Sequence, residues 1–415
     1  MWSAAAALAL GAGLATAGAA KVAAQGIQLP SRAAGTVFLN ATLVDGRSPD
    51  SRSGVNILVA AGRIREIGSD LSDDVIPEDE VIDLGGAFVV PGFVDVHAGA
   101  RTEADLRALA EHGILAVRDG TVTDAIWRQN GRESPGRGLV ARRFAGGPVL
   151  GGRAAAPGDD SPGSEQFAAQ IERQRQEGAG FITIGPGLPA ELLVSVARSA
   201  RRAELPLWTD RRGGTGWLLS VRAGTDVVTG LLSGDPDMVA AEIVAGGPLA
   251  EWLRGLDPHG EAADLALGAL LSRDALVVPL LVAAGPEVRE DPEAWANAVS
   301  LAARLVDSSV RMAVGSDSPA AGDFGAAFHL ELELLQEIGI PPVEIIGMAT
   351  RIGAAAIGEL HERGTLEVGK RADFVVLDGN PLADIRNARR IAMVVAAGRA
   401  WREEPEGVWT EVRMY

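Results

Sequence analysis

From residue 36 to residue 90, apolar and polar residues alternate over short runs at 36–40, 55–59 and 63–68, with turn residues at Asp45-Gly46 and Ala61-Gly62 between them. A period of two sends alternate side chains to one face, so these runs predict a strand-rich module. Matching runs return near the other end, at 372–378 and 393–399. The simplest reading is one small β-sandwich built from both chain ends. Between them, apolar strand runs at 93–97, 114–118, 148–150, 181–184, 206–209, 226–229, 277–281 and 311–315 alternate with helical periodicity. Eight such βα units in sequence predict the α/β class and a (β/α)8 TIM barrel, whose working face lies at the C-terminal ends of its strands. The expected division is a leader over 1–25, a sandwich from 34–90 and 364–415, and a barrel over 91–363.

Composition narrows the function classes. The 415 residues carry 55 acidic against 38 basic side chains, a formal charge of −17 that repels phosphate backbones and argues against a nucleic-acid partner. The absence of cysteine excludes disulfides, cysteine-held zinc and thiol nucleophiles. The apolar Ala/Gly-rich stretch from Ala4 to Ala20 reads as a signal peptide or a disordered leader, although Lys21 follows the run instead of preceding it. A cleaved signal places the protein in the periplasm or outside the cell, and a disordered leader places it in the cytoplasm. No membrane association is expected once the leader is gone, because no later run reaches the ~18 apolar residues of a spanning helix. No Gly-Lys-Ser/Thr loop, dinucleotide fingerprint or Gly-x-Ser-x-Gly elbow is present.

The most informative segment is Val89-Val90-Pro91-Gly92-Phe93-Val94-Asp95-Val96-His97-Ala98-Gly99. It resembles the first barrel strand of the metal-dependent amidohydrolase superfamily, in its prolidase-like and imidazolonepropionase-like branch, with Gly99 where the second His of His-x-His stands. Four further motifs resemble that family in the same order. Gly113 to Asp119 resembles strand two. Gly147-Pro148-Val149-Leu150-Gly151-Gly152-Arg153 is similar to its Gly-Gly-His turn with Arg153 in the His place. Ala313-Val314-Gly315-Ser316-Asp317-Ser318-Pro319 is similar to strand eight, and 364–377 to the return into the sandwich.

The resemblance implies two divalent ions at the barrel mouth, held by His-x-His, a carbamylated Lys, two further His and an Asp. Such ions lower the pKa of a bound water while the Asp accepts its proton. Position by position, His97 and Asp317 are retained, and Asp210 replaces a His but can still ligate. Gly99 has no side-chain donor, Thr183 stands in place of the Lys and cannot form the carbamate, and Thr229 is a poor zinc ligand. Arg153 becomes a candidate substrate-binding residue.

The reading drawn is an amidohydrolase-like protein descended from hydrolases of non-peptide C–N bonds, with a degenerate metal site and little ordinary activity. Two alternatives stay open. One is an active single-metal amidohydrolase or prolidase-like hydrolase using one divalent ion, such as zinc, at His97, Asp210 and Asp317, with Asp317 catalytic. The other is a non-catalytic scaffold that binds a small-molecule ligand at the barrel mouth without a cofactor. The stretch Arg128, Arg132, Arg137, Arg142 and Arg143 reads as a solvated face, and His112, His259, His329 and His361 as packed or solvated side chains.

Overall fold

A computed structural model describes residues 34–71, 75–120, 138–151, 163–210, 217–230 and 249–412. The leader, Arg153 and the first three arginines of the Arg-rich stretch lie outside the described residues. Strands β1 (Thr36–Leu43), β2 (Arg52–Ala60), β3 (Arg63–Gly68), β4 (Glu80–Asp83) and β5 (Phe88–Pro91) come from the N-terminal part of this body. Strands β6 (Phe93–Ala98), β7 (Ile114–Asp119), β8 (Arg142–Ala145), β9 (Ile182–Ile184), β10 (Leu207–Asp210), β11 (Val227–Thr229) and β12 (Leu276–Val278) follow, and then β13 (Phe374–Leu377), β14 (Ile391–Ala396), β15 (Arg399–Glu403) and β16 (Trp409–Glu411).

The two ends of the body share one sheet in the order β16-β15-β14-β13-β5-β1-β2-β3, with β4 paired to β1. Its joint is the antiparallel pair of β13 with β5, which sets Phe374 opposite Pro91 and Leu377 opposite Phe88. The buried faces close on one core in which the Phe38 and Phe374 rings meet edge to face at 5.1 Å, a geometry favoured by the aromatic quadrupole. Period-two patterning made this module legible, and the structure adds β4, β5, β15 and β16 to the runs it predicted.

Strands β6 to β12 run parallel in the order expected for a barrel. The eighth strand, at residues 311–315, joins both neighbours. Val277 N donates to Arg311 O and Ala313 N to Val277 O on one side, and Val96 N donates to Val314 O at 3.0 Å on the other. The interior is filled by Val94, Val96, Ala116, Phe181, Trp208, Val227, Leu276, Val278 and Ala313, so the barrel is packed and its chemistry is confined to the strand ends.

Its helices begin where local chemistry satisfies their free N–H groups. Thr102 and Asp105 form a reciprocal capping box at Glu103–Glu111, and Asp291 caps Pro292–Asp307 with proline in the first turn.

The third strand corrects the sequence reading. It is Arg142–Ala145 that pairs with β7, whereas Leu150 makes a single bridge to Ile184 across the gap to β9. The two adjacent arginines hide this strand, because a pattern of apolar positions counts them as solvated. Arg143 is instead buried, with Nη1 donating to Ala100 O, and the Arg142 guanidinium lies over the Phe144 ring at 5.1 Å. Long basic side chains can cover apolar surface with their stems, so charge alone does not exclude a strand.

Candidate functional site

The junction of the first and eighth strands builds one half of the site. His97 O accepts from Asp317 N at 2.8 Å and from Ser316 N at 3.2 Å, and Gly99 N donates to Ser318 O at 2.6 Å. This lacing brings His97 Nε2 to 3.3 Å from Asp317 Oδ1. The approach needs glycine at 315, where a Cβ would sit 2.8 Å from His97 Cβ. Asp317 itself adopts a left-handed backbone with φ 52°, a conformation that costs a non-glycine residue about 1–3 kcal/mol and is held here by the surrounding bonds.

The other half comes from the ends of β9, β10 and β11. In-register pairing sets Thr183 beside Trp208 and Asp210 beside Thr229. Asp210 Oδ2 lies 3.9 Å from His97 Nε2, so it joins the two halves. Thr183 Oγ1 accepts from Arg118 Nη2 at 2.8 Å, and Thr229 Oγ1 donates to Thr209 O. Both hydroxyls are therefore engaged within the protein.

Sequence reasoning passed over Arg118, a fully buried arginine on β7. Its guanidinium carbon stands 3.8 Å from the centre of the Trp208 ring and 4.2 Å from that of Phe181. Burial pushes the guanidinium down to about 9 against the pull of Asp210 and Asp119, which leaves it cationic at neutral pH. A basic residue inside an otherwise apolar strand run was the available signal.

The structure thus brings His97, Thr183, Asp210, Thr229 and Asp317 to one barrel mouth, with Gly99 at its edge. The fit to a metal centre is another matter. Gly99 supplies only backbone, Thr183 faces a cation, and Thr229 spends its proton on a carbonyl. Neither ring nitrogen of the fully buried His97 has a hydrogen-bond partner among the described residues, so its closeness to Asp317 and Asp210 is proximity without bonding geometry. Among the described residues, no three His, Cys, Asp or Glu side chains form a set that could hold a metal ion. The residues present do not fit the two-ion centre that the resemblance implies.

Two buried carboxylates lie behind the site. Asp95 Oδ1 accepts from His97 N at 3.0 Å and Ser316 N at 3.1 Å, fixing the same junction, and burial pushes its carboxyl up to about 6. Glu331 accepts from Leu281 N and Val282 N, and burial pushes it up to about 8, with Asp95 adding to the rise. Each acid is raised above its unfolded value, so the folded state holds protons that the unfolded chain releases. Stability is expected to fall as pH rises from about 5 to 8, by up to ~1.4 kcal/mol per pH unit for each group titrating. Urea midpoints at several pH values check this, and Asp95→Asn, isosteric at an oxygen without a partner, should remove roughly half of the slope below about pH 6, where Glu331 contributes the rest, and leave the slope above it unchanged. A midpoint that climbs across that interval contradicts the assignment.

Residues 296–401 match the model of the amidohydrolase family. The chain is 27% identical to a dihydroorotase of Lactiplantibacillus plantarum over 229 residues, 52% of this chain and 47% of that protein, so it spans about half of that relative's length. It is 25% identical over 363 residues to an imidazolonepropionase of Thermoplasma acidophilum, covering 80% of this chain and 84% of that one. The solved structure of an amidohydrolase aligns with a TM-score of 0.69 at 20% identity, covering 89% of this chain and 99% of the other. A Xaa-Pro dipeptidase with methionine bound in its active site aligns at 0.68 and 18%, covering 88% and 99%. These likenesses confirm the barrel-plus-sandwich fold.

Proposed function

We propose that the chain is an amidohydrolase-superfamily protein, that it descends from hydrolases of C–N bonds, and that it has lost the ordinary metal-dependent form of that chemistry. The observation that carries this reading is the fate of Thr183. At the position where the family's bridging carbamate is expected, the side chain is a hydroxyl that already accepts from the Arg118 guanidinium. A centre without that bridge, and without donors at Gly99 and Thr229, cannot hold two ions in the family's manner. What remains at the mouth is a set of organic groups, Asp210, Asp317 and Arg118 around His97. Such a set can bind and orient a small polar ligand but supplies no metal-activated water.

The test is a hydrolysis panel of lactams, cyclic imides, ureas and Xaa-Pro dipeptides, run on the parent and on Asp317→Ala. The expected result is a rate at the level of the buffer for both proteins, with unchanged folding of the variant. A parent rate that collapses by 10²-fold or more in Asp317→Ala, the size of loss typical for a general base, overturns the reading.

One observation favours a second reading. The 3.3 and 3.9 Å separations gather two carboxylates around His97 Nε2, so a one-metal hydrolase using His97, Asp210 and Asp317, whose side chains would have to rearrange into a ligand set, is its nearest competitor. Under that reading, the same panel gives a rate that depends on all three residues and is abolished by a chelator.

A further inference from the structure

We infer that the centre of this barrel is a guanidinium site filled from within by Arg118, and that this tethered cation keeps divalent ions out. The inference rests on the reading that the inherited centre is degenerate and goes beyond it by naming what took its place. Three features of the site fit a planar organic cation. Trp208 and Phe181, 5.8 Å apart and tilted by 50°, form an aromatic floor with both ring centres close to the guanidinium carbon. Thr183 Oγ1 and Val96 O accept from the two terminal nitrogens, at 2.8 and 3.4 Å, from different strands. Asp210 and Asp119 are the acidic groups whose fields favour the charged guanidinium.

The fold also leaves space for this occupant. A Cβ at residue 120 would stand 2.5 Å from Arg118 Nη1, so glycine there clears the volume the guanidinium fills. Thr183 is shorter than the lysine that the resemblance expects, and its hydroxyl ends where the arginine's fork begins.

Charge then accounts for the exclusion of metal. A divalent ion at His97, Asp210 and Asp317 would have to share Asp210 with a permanent cation in a buried setting, where like charges repel with little screening. The unpartnered ring nitrogens of His97 are what such an arrangement leaves behind. They are buried ring nitrogens, one of them 3.9 Å from a carboxylate whose field also favours the Arg118 cation.

The experiment compares the parent with Arg118→Ala. The variant is expected to melt at a lower temperature and to recover at least half of the loss, saturably, in millimolar methylguanidinium. Urea, planar but uncharged, and sodium at equal ionic strength should give no recovery. In parallel, zinc binding measured by calorimetry should rise at least tenfold over the parent and be lost again when Asp210→Ala is added.

Absence of selective recovery by methylguanidinium overturns the guanidinium site even if zinc binding rises. Recovery without any gain in zinc affinity overturns the exclusion. Should Arg118→Ala accumulate only as insoluble chain, Arg118→Met keeps the volume and removes the charge. Zinc uptake tenfold above the parent in that variant supports the inference, and uptake equal to the parent overturns it. Stoichiometric metal in the unmutated protein would defeat the degenerate-centre reading itself, and that result is separate from either arm.

Discussion

Gly99→His, Thr183→Lys, Asp210→His and Thr229→His introduced together with Arg118→Val are expected to raise zinc affinity by more than about 100-fold, the size of effect that missing supporting groups alone can remove. The reasoning is additive in ligands. His97 and Asp317 already lie 3.3 Å apart at the laced junction of the first and eighth strands, and the changes supply the donors that the mouth lacks. The fifth substitution decides the outcome. Thr183 Oγ1 stands 2.8 Å from Arg118 Nη2, so Thr183→Lys alone drives a longer side chain into the volume that the guanidinium fills. The four ligand changes without Arg118→Val should therefore gain little affinity. Calorimetric titration of both variants checks the difference. Equal affinities would mean that Arg118 has no part in the loss of metal, and a folded five-fold variant with no gain would mean that the strand ends do not converge.

Arg363→Ala is expected to destabilise the protein by about 3 kcal/mol, the lower end of the range for breaking a buried ion pair from one side. Arg363 is buried and joins both parts of the fold. Its Nη1 donates to Asp373 Oδ2 at 3.2 Å just before β13 and to Leu115 O at 3.4 Å on β7, and its Nε donates to Glu359 Oε2 at 3.3 Å. Removing it leaves the buried Asp373 with Arg371 at 3.1 Å and Ala397 N at 2.6 Å, which is why the loss is not placed higher. Urea unfolding measures it. A change below about 1 kcal/mol, the level of an exposed pair, would contradict the role assigned to this contact.

The fold was legible because period-two runs and βα alternation depend only on which side chains must be buried. Strands β1, β2, β3, β13 and β14 of the sandwich, seven of the eight barrel strands and the gathering of His97, Thr183, Asp210, Thr229 and Asp317 follow from that pattern and from motif order. What escaped were buried charges. Arg142 and Arg143 hid the third strand, since a pattern reading counts a charged residue as exposed, whereas here a guanidinium covers Phe144 and a backbone carbonyl receives Arg143. Arg118 escaped for the same reason, as did Asp95 and Glu331, whose partners are backbone N–H groups 2, 49, 50 and 221 residues away along the chain. Spacing in a sequence does not carry pairings of that kind.

The proposal is that this barrel does not hold the divalent ions that its resemblance to amidohydrolases implies. Protein produced with zinc and manganese supplied, dialysed without chelator and measured for bound metal per chain tests it most directly. Well under one equivalent of any divalent ion is expected. One or more equivalents that persist through dialysis and disappear in His97→Ala would contradict it.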